Sequence, residues 1–303
     1  MAEYVFNSYY GYARDGGSEN ASQTSATDEA GVLTDEDGNS TFDPGETLYV
    51  DGSPVGTFYA GYFPGDPPDI NNFYIVVEVD DDNFIIYGYP GTADSDLPNT
   101  FHEIDDVDPE ETITECFAAG TQIATPTGEQ SVETLAIGDM ITTADGRDVP
   151  VMWIGRQTVH KLFTPAERFQ PVRVTRGALG RGLPHSDLVL TADHALILDG
   201  LAINAGALIN ETTIRRDPLH SLADHVTYYH VETREHDAIL ANGAAAETYV
   251  DYVSRRFFDN YSEYLSLYGE ERVIAEMGMP RISAARLVPQ SIRAGLDGLR
   301  LAG

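Results

Sequence analysis

Cys116-Phe117-Ala118-Ala119-Gly120-Thr121-Gln122-Ile123, followed at a distance by Gly138-Asp139-Met140-Ile141, decides how the rest of this chain is read. Cys116 is the single cysteine among 303 residues. A lone cysteine excludes an intramolecular disulfide framework and any multi-thiolate metal site, so it is either buried filler or a functional thiol. It also marks a break in charge. Residues 1–115 carry 26 acidic side chains against Arg14 alone, a net of −25, whereas residues 116–303 carry 23 acidic and 17 basic, a net of −6. Just before the break, Glu103-Ile104-Asp105-Asp106-Val107-Asp108-Pro109-Glu110-Glu111 is an acidic run whose self-repulsion favours an extended, exposed linker.

Composition bounds the class. With 42% hydrophobic and 22% charged residues the chain is that of a folded protein, long enough for two domains. The total charge of −31 argues against non-specific binding to nucleic acid or to an anionic membrane, so neither is expected as a partner. No apolar run approaches the roughly 20 residues that span a bilayer. Glu3, Asp15, Glu19, Asp28 and Glu29 interrupt the first thirty residues, so neither a transmembrane helix nor an ordinary signal peptide is expected. Location stays open between the cytoplasm and a secreted or cell-surface place reached without an N-terminal signal peptide.

Outward from Cys116 on both sides the pattern is one of short strands. Upstream, Leu48-Tyr49-Val50, an Asp51-Gly52 turn and Val55–Phe63 predict one hairpin, and Phe73–Val79 with Phe84–Tyr89 around Asp80-Asp81-Asp82-Asn83 predict another. Residues 1–102 are therefore expected to form an acidic antiparallel β module, with 103–115 as the linker. Downstream, Thr121–Ala124, Ile141–Thr143, Val149–Ile154, Pro171–Thr175 and Leu188–Leu190 are predicted strands between Gly, Pro and Asp turns. From Ala246 the spacing changes. Tyr249, Tyr252, Val253, Phe257, Tyr261, Tyr264, Leu265 and Tyr268 recur at three and four, which predicts an amphipathic helix, and Ser283–Leu301 predicts a further one interrupted at Pro289.

The block beginning at Cys116 resembles the opening of the Hint domain, the self-processing module shared by inteins and Hedgehog proteins. Leu190-Thr191-Ala192-Asp193-His194-Ala195-Leu196 is similar to the Thr-x-x-His block of that family, and Ala241-Asn242-Gly243 to its closing strand. The three occur in order, and the whole is most similar to the bacterial branch called Hint_2, which commonly carries a helical tail. The resemblance implies a mainly β fold, a horseshoe of short strands over residues 116–250 with a helical tail over 251–303. It also implies autocatalytic cleavage before Cys116, with the chain's own N-terminal segment as substrate and no cofactor required.

In that family the thiol of the first residue attacks the preceding carbonyl, here turning the Glu115-Cys116 amide into a thioester. The conversion is uphill because amide resonance is lost, so the fold must supply an activated thiol and a proton for the departing amine. The resemblance assigns the proton to His194 and the orienting hydroxyl to Thr191. His230, His236 and Asp237 lie near where family members place an acid or base of the second step, the alternative being that both histidines are strand or surface residues. An intein ends in His-Asn, whereas this chain reads Ala244-Ala245-Ala246-Glu247-Thr248, so no terminal Asn is available to cyclise. What is implied is a Hedgehog-like half reaction resolved by water, an alcohol or an amine. The competing expectation is a catalytically silent carrier of an adhesion, surface or particle module.

Asp35, Asp37, Asn39, Thr41, Asp43 and Glu46 place oxygens at positions one, three, five, seven, nine and twelve of a twelve-residue loop, the ligand spacing of an EF-hand. Ser40 stands where the usual glycine would be, and Pro44-Gly45 disfavours the helix that should follow. The segment is thus a candidate Ca²⁺ loop of a β domain, against the plainer expectation of an acidic turn.

Overall fold

The structure, a computed structural model, describes residues 3–14, 21–27, 29–35, 42, 45–62, 74–88, 97, 100–101, 115–161, 166–250, 255 and 258–300. The chain divides into two compact units, Met1–Glu111 with His160–Ala166, and Thr112–Val159 with Glu167–Gly303.

In the first unit nine strands form one antiparallel sheet: β1 (Glu3–Phe6), β2 (Ser8–Arg14), β3 (Ala21–Thr27), β4 (Gly31–Thr34), β5 (Thr47–Val50), β6 (Ser53–Tyr62), β7 (Tyr74–Asp80), β8 (Asn83–Gly88) and β9 (Thr100–Phe101). Their order across the sheet is β1-β4-β5-β6-β7-β8-β2-β3-β9. The β5–β6 hairpin turns where the sequence predicts it. Asp51 and Gly52 have φ of 50° and 76°, the left-handed pair that matches the twist of flanking strands, and Val50 then faces Ser53. The β7–β8 turn is closed by Asp80, whose carboxylate accepts from the Asp82 N–H at 3.1 Å and the Asn83 amide at 2.6 Å. The period of two explains the core. Ile75 and Val77 pack on one face with Tyr4, Phe6, Leu48 and Phe58, while Tyr74 and Val76 pack on the other with Tyr10, Tyr12, Phe84 and Ile86. The hairpin readings at Leu48–Val50 and Tyr74–Gly88 hold, but β1 to β4 went unread. Ala21–Thr27 shows why: only Ala21 of its seven residues is buried, so no alternation marks it as a strand.

The second unit is built from β10 (Phe117–Ala118), β11 (Gln122–Thr125), β12 (Gly128–Ser131), β13 (Met140–Thr142), β14 (Asp148–Pro150), β15 (Trp153–His160, all but its last residue), α1 (Ala166–Phe169, all but its first residue), β16 (Val172–Val174), β17 (Leu188–Leu190), β18 (Ala195–Leu198), β19 (Leu201–Asn204), β20 (Ile214–Arg216), β21 (His225–Glu232), β22 (Ala238–Ala241), β23 (Ala244–Glu247), α2 (Tyr261–Tyr268), β24 (Arg281–Ile282) and α3 (Gln290–Arg300). They assemble as a six-stranded sheet, β15-β21-β10-β17-β16-β20, a seven-stranded sheet, β12-β11-β22-β23-β18-β19-β24, and the β13–β14 pair. An aliphatic core of Ile123, Val172, Leu188, Leu190, Leu196, Ile203, Val231 and Ile239 draws on both larger sheets. A second cluster gathers Cys116 with Trp153, Phe169, Tyr228, Tyr249, Phe258 and Tyr264. The fold is mainly β, as the sequence predicts, and among the described residues no helix is long and apolar enough to cross a membrane.

Three expectations are corrected. Residues 149–154 are not one strand, since the chain breaks at Val151-Met152 between β14 and β15. The helix expected from Ala246 is not formed at its start, and among the described residues the α-helix of this stretch is α2, Tyr261–Tyr268. Residues 244–247 are instead strand β23, and the backbone N–H groups of Thr248 and Tyr249 donate to Asp237 and Val231 carbonyls at 2.9 Å, which leaves none for a helical ladder. Tyr261, Tyr264, Leu265 and Tyr268 do share α2, Tyr249 joins the cluster of Tyr264 from beyond β23, and Tyr252, Val253 and Phe257 lie outside the described residues. Gly269, at φ 75° with its N–H on the Leu265 carbonyl, stops α2 after eight residues. Last, the turn Ser283–Pro289 stays non-α and α3 begins after Pro289, whose ring cannot sit inside a helix.

Asn242-Gly243 is the turn of the β22–β23 hairpin, with φ of 48° and 78°. Asn242 Oδ1 accepts from the Gln122 N–H at 2.6 Å and its amide donates to the Asp187 carbonyl at 2.8 Å, so one side chain ties three loops together. Asn242→Ala loses both bonds and puts a Cβ-bearing residue that cannot bond locally at positive φ, an expected cost of about 2–4 kcal/mol. Thermal melting checks this, and Asn242→Gly should recover only the backbone part.

Candidate functional site

Strand register builds the site. In β10, Phe117 pairs with Leu190 of β17 on one side and with Tyr229 of β21 on the other. One residue back along each antiparallel ladder, Cys116 must fall between Thr191 and His230. The hydrogen bonds agree. The Cys116 N–H donates to Thr191 Oγ1 at 2.9 Å, the Thr191 N–H donates to the Cys116 carbonyl at 2.9 Å, and Cys116 Sγ lies 3.9 Å from His230 Nδ1. The scissile amide nitrogen of the sequence reading is thus held by the hydroxyl of the Thr-x-x-His block.

A tight turn carries His194 to the same place, its N–H reaching back to the Thr191 carbonyl at 3.3 Å. The His194 ring lies against Phe117, centroids 4.1 Å apart, and stacks on His230 at 5.5 Å and 21°. His194 Nε2 is 3.1 Å from the Glu247 carbonyl, which can only accept, so Nε2 carries the proton and Nδ1 is bare. That Nδ1 is buried without a hydrogen-bond partner among the described residues, as is His230 Nε2. Burial pushes His194 down to about 4 even though the Glu247 carboxylate pulls the other way. Burial, reinforced by His194, also holds His230 well below the ordinary histidine range. Both rings are neutral at pH 7, and Cys116 beside them is fully buried.

His236 and Asp237 do not come to the thiol. His236 Nδ1 accepts the Met277 N–H at 2.9 Å, so its Nε2 proton points to Glu247 Oε2 at 3.2 Å. Asp237 accepts from Arg147 at 2.8 Å and from the Thr233 hydroxyl at 2.9 Å, a turn-stabilising arrangement. The residue that joins these parts, Glu247, was not singled out from the sequence. Its Oε1 accepts the Ala195 N–H at 2.7 Å and its Oε2 accepts from His236 and from Arg281. Burial raises the Glu247 carboxyl, but these donors and His194 outweigh it and hold the group below its usual value. An acid closing the run Ala244-Ala245-Ala246 was the one available signal, since a charge at the end of a buried alanine strand needs partners. Arg281 and Arg255 had none. Arg255 is 1% exposed, donates to buried Glu232 at 2.8 Å and lies over the Tyr249 ring at 4.3 Å, bracing the aromatic cluster behind His230.

Glu115, the residue before the thiol, is only 7% exposed despite following an acidic run. Burial and the neighbouring Glu247 carboxylate push it up to about 7, while Arg281, 4.0 Å from its Oε1, opposes. The cis peptide among the described residues is Leu183-Pro184, and the Glu115-Cys116 peptide is trans.

Residues 115–253 match the Hint domain family Hint_2. This part of the chain is a Hint domain. Comparison of the chain with curated proteins finds no match. Among solved structures it is similar to a bacterial intein-like domain from Clostridium thermocellum, with 16% identity over 45% of this chain and 100% of that one at a TM-score of 0.34. It is also similar to a DnaB intein from Synechocystis, with 11% identity over 45% of this chain and 100% of that one at a TM-score of 0.33. The Hint domain itself thus contains Cys116, Thr191, His194, His230, His236, Asp237 and Glu247, while Arg281 and Met277 come from beyond the matched segment. Of the candidate calcium ligands, Asp35 and Glu46 are described, and Asp37, Asn39, Thr41 and Asp43 lie outside the described residues. Among the described residues no group of three or more His, Cys, Asp or Glu side chains is arranged to hold a metal ion.

The buried histidines make the fold less stable in acid. His194 is neutral in the folded chain down to about pH 4 but would take a proton near 6.5 when unfolded, so the unfolded state binds the extra proton between those values. Its contribution is fully present above pH 6.5 and is lost as pH falls towards 4, a loss of about 3 kcal/mol. The melting temperature of a Cys116→Ala chain should fall over that window, and the slope should shrink in a further His194→Gln variant.

Proposed function

We propose that this chain is a single-turnover self-processing protein that cleaves itself between Glu115 and Cys116 and releases residues 1–115. The observation that carries the proposal is the meeting of the one thiol of the chain with two neutral, partly unpartnered imidazoles and a hydroxyl on its own amide nitrogen. Cys116 Sγ attacks the Glu115 carbonyl carbon, an S–C bond forms, and the C–N bond breaks. The thiol proton ends on the leaving amine, carried there by an imidazole. His230 Nδ1 faces the thiol and is the group that takes its proton, while His194 sits beside the Thr191 block that holds the amide nitrogen. Thr191 Oγ1 fixes the direction in which that nitrogen departs.

In the second step water, an alcohol or an amine adds to the thioester carbon and the thiol is regenerated, with no ligation of the downstream chain because no Asn follows Glu247 at the domain end. Full burial suits the first step, which is intramolecular and gains from the exclusion of water, and it slows the second, which needs a nucleophile from outside. Small nucleophiles should therefore be favoured. The test is the mass of the purified chain with and without a thiol, read for a fragment ending at Glu115.

A further inference from the structure

The side chain on the acyl side of the proposed bond is buried, and a residue of the tail lies against it. Default behaviour for a carboxylate at the end of the run Glu103–Glu111 is solvation, yet Glu115 is 7% exposed, with Oε1 at 4.0 Å from the Arg281 guanidinium. Arg281 is held from several directions. Its strand β24 runs parallel to β19, with Ala202 opposite Arg281 and Ile203 opposite Ile282. One guanidinium nitrogen donates to Asn204 Oδ1 at 3.0 Å and another to Glu247 Oε2, which is itself fixed by the Ala195 N–H on its carboxylate partner oxygen. The guanidinium is thus placed before Glu115 arrives, as a recognition group must be. Met277 in the same tail segment fixes the tautomer of His236 through its N–H, so the tail touches the Glu247 hub twice.

We propose that Arg281 is a positioning residue for the acyl side of the cleavage site, and that it makes the site selective for a carboxyl-bearing side chain at position 115. The proposal rests on the processing function above. It extends the working site beyond residues 115–253 into the tail. A neutral isostere at 115 would leave the burial cost lower but remove the charge that orients the acyl group, and a cation there would meet Arg281 directly.

The experiment is a double-mutant cycle on the full chain, reading the rate of release of residues 1–115 by intact mass in the presence of dithiothreitol. The four members are the unsubstituted chain, Glu115→Gln, Arg281→Gln and both together, each checked for an unchanged melting profile. If Arg281 acts through Glu115, Arg281→Gln slows release about tenfold in the first background and by less than twofold once Glu115 is Gln. Arg281→Lys should restore part of the rate, and Glu115→Lys should slow release more than Glu115→Gln. The pH profile gives a second readout. Removing the guanidinium raises the Glu115 titration, so the corresponding step in the profile moves to higher pH in Arg281→Gln. Equal penalties in both Glu115 backgrounds, with cleavage of the unsubstituted chain intact, overturn this inference and leave the processing function standing. An unsubstituted chain that stays whole overturns both. If Arg281→Gln melts early, Arg281→Lys with Glu115→Lys carries the same comparison.

Discussion

Cys116→Ala is expected to abolish release of residues 1–115 completely, at every pH from 6 to 9 and with any added nucleophile, because the chain contains no second thiol to take over. The unsubstituted protein should divide into residues 1–115 and 116–303. A strong thiol or hydroxylamine should accelerate that division, since each opens a thioester far more readily than an amide. Hydroxylamine should be the more effective of the two for its size, because the thioester carbon it must reach is bonded to a sulfur that lies fully buried beside Trp153, Tyr228 and Phe258. Its product carries a hydroxamate on Glu115, which identifies the bond broken and the acyl group formed. The proton inventory predicts the pH dependence. Both imidazoles are already neutral at pH 6, so no histidine titration should shape the rate of the first step between pH 6 and 9. An intact mass that persists for days with thiol present would favour the silent carrier. Cleavage that survives Cys116→Ala would point to a protease or to hydrolysis at Asp108-Pro109.

The sequence exposed the residues at the centre of the candidate site and hid those around them, for a physical reason in each case. Thr191 and His194 were legible through the likeness of Leu190–Leu196 to the Thr-x-x-His block, and the structure gives the physical ground of that spacing, a single turn after β17 that presents both beside β10. Cys116 was legible as the only thiol. Which of His230 and His236 faces it was not. The two have the same parity, and only the β10–β21 register, with Phe117 opposite Tyr229, puts His230 at the sulfur, while β21 ends at Glu232 and the chain turns before His236. Glu247 and Arg281 are harder still. A buried ion pair leaves no periodic mark, and β24 is two residues long, so nothing local announces that Arg281 enters a site built 34 to 166 residues upstream. The tail misled for a related reason. Tyr249 shares one cluster with Tyr261, Tyr264 and Tyr268 although it follows strand β23 and they lie on α2, so residues from two elements read as one helical face. In the first unit the turns carried strong chemistry, Asp51-Gly52 and Asp80–Asn83, whereas β3 is a mostly exposed run of Ser, Thr and Gln that only its neighbours keep extended.

His194→Ala is expected to slow release by about 10² to 10⁴, the range for loss of a positioned proton-transfer group. Alanine alone does not separate chemistry from support, because the ring also packs on Phe117 at 4.1 Å and bonds the Glu247 carbonyl at 3.1 Å. His194→Gln does separate them. Its side-chain amide can donate to the same carbonyl from nearly the same place, and it fills much of the ring's volume, but it offers no basic lone pair where Nδ1 now sits bare. If His194 moves a proton, His194→Gln should be nearly as slow as His194→Ala while melting closer to the unsubstituted chain. If His194 only braces Thr191 and β18, His194→Gln should cleave within threefold of the unsubstituted rate. The low proton affinity of the buried ring adds a further check. A group held at about 4 cannot store a proton at pH 7, so if His194 moves a proton it takes one up and passes it on within the reaction. Replacing solvent water by D₂O should then slow the unsubstituted chain more than His194→Gln, whose remaining rate no longer passes through that ring.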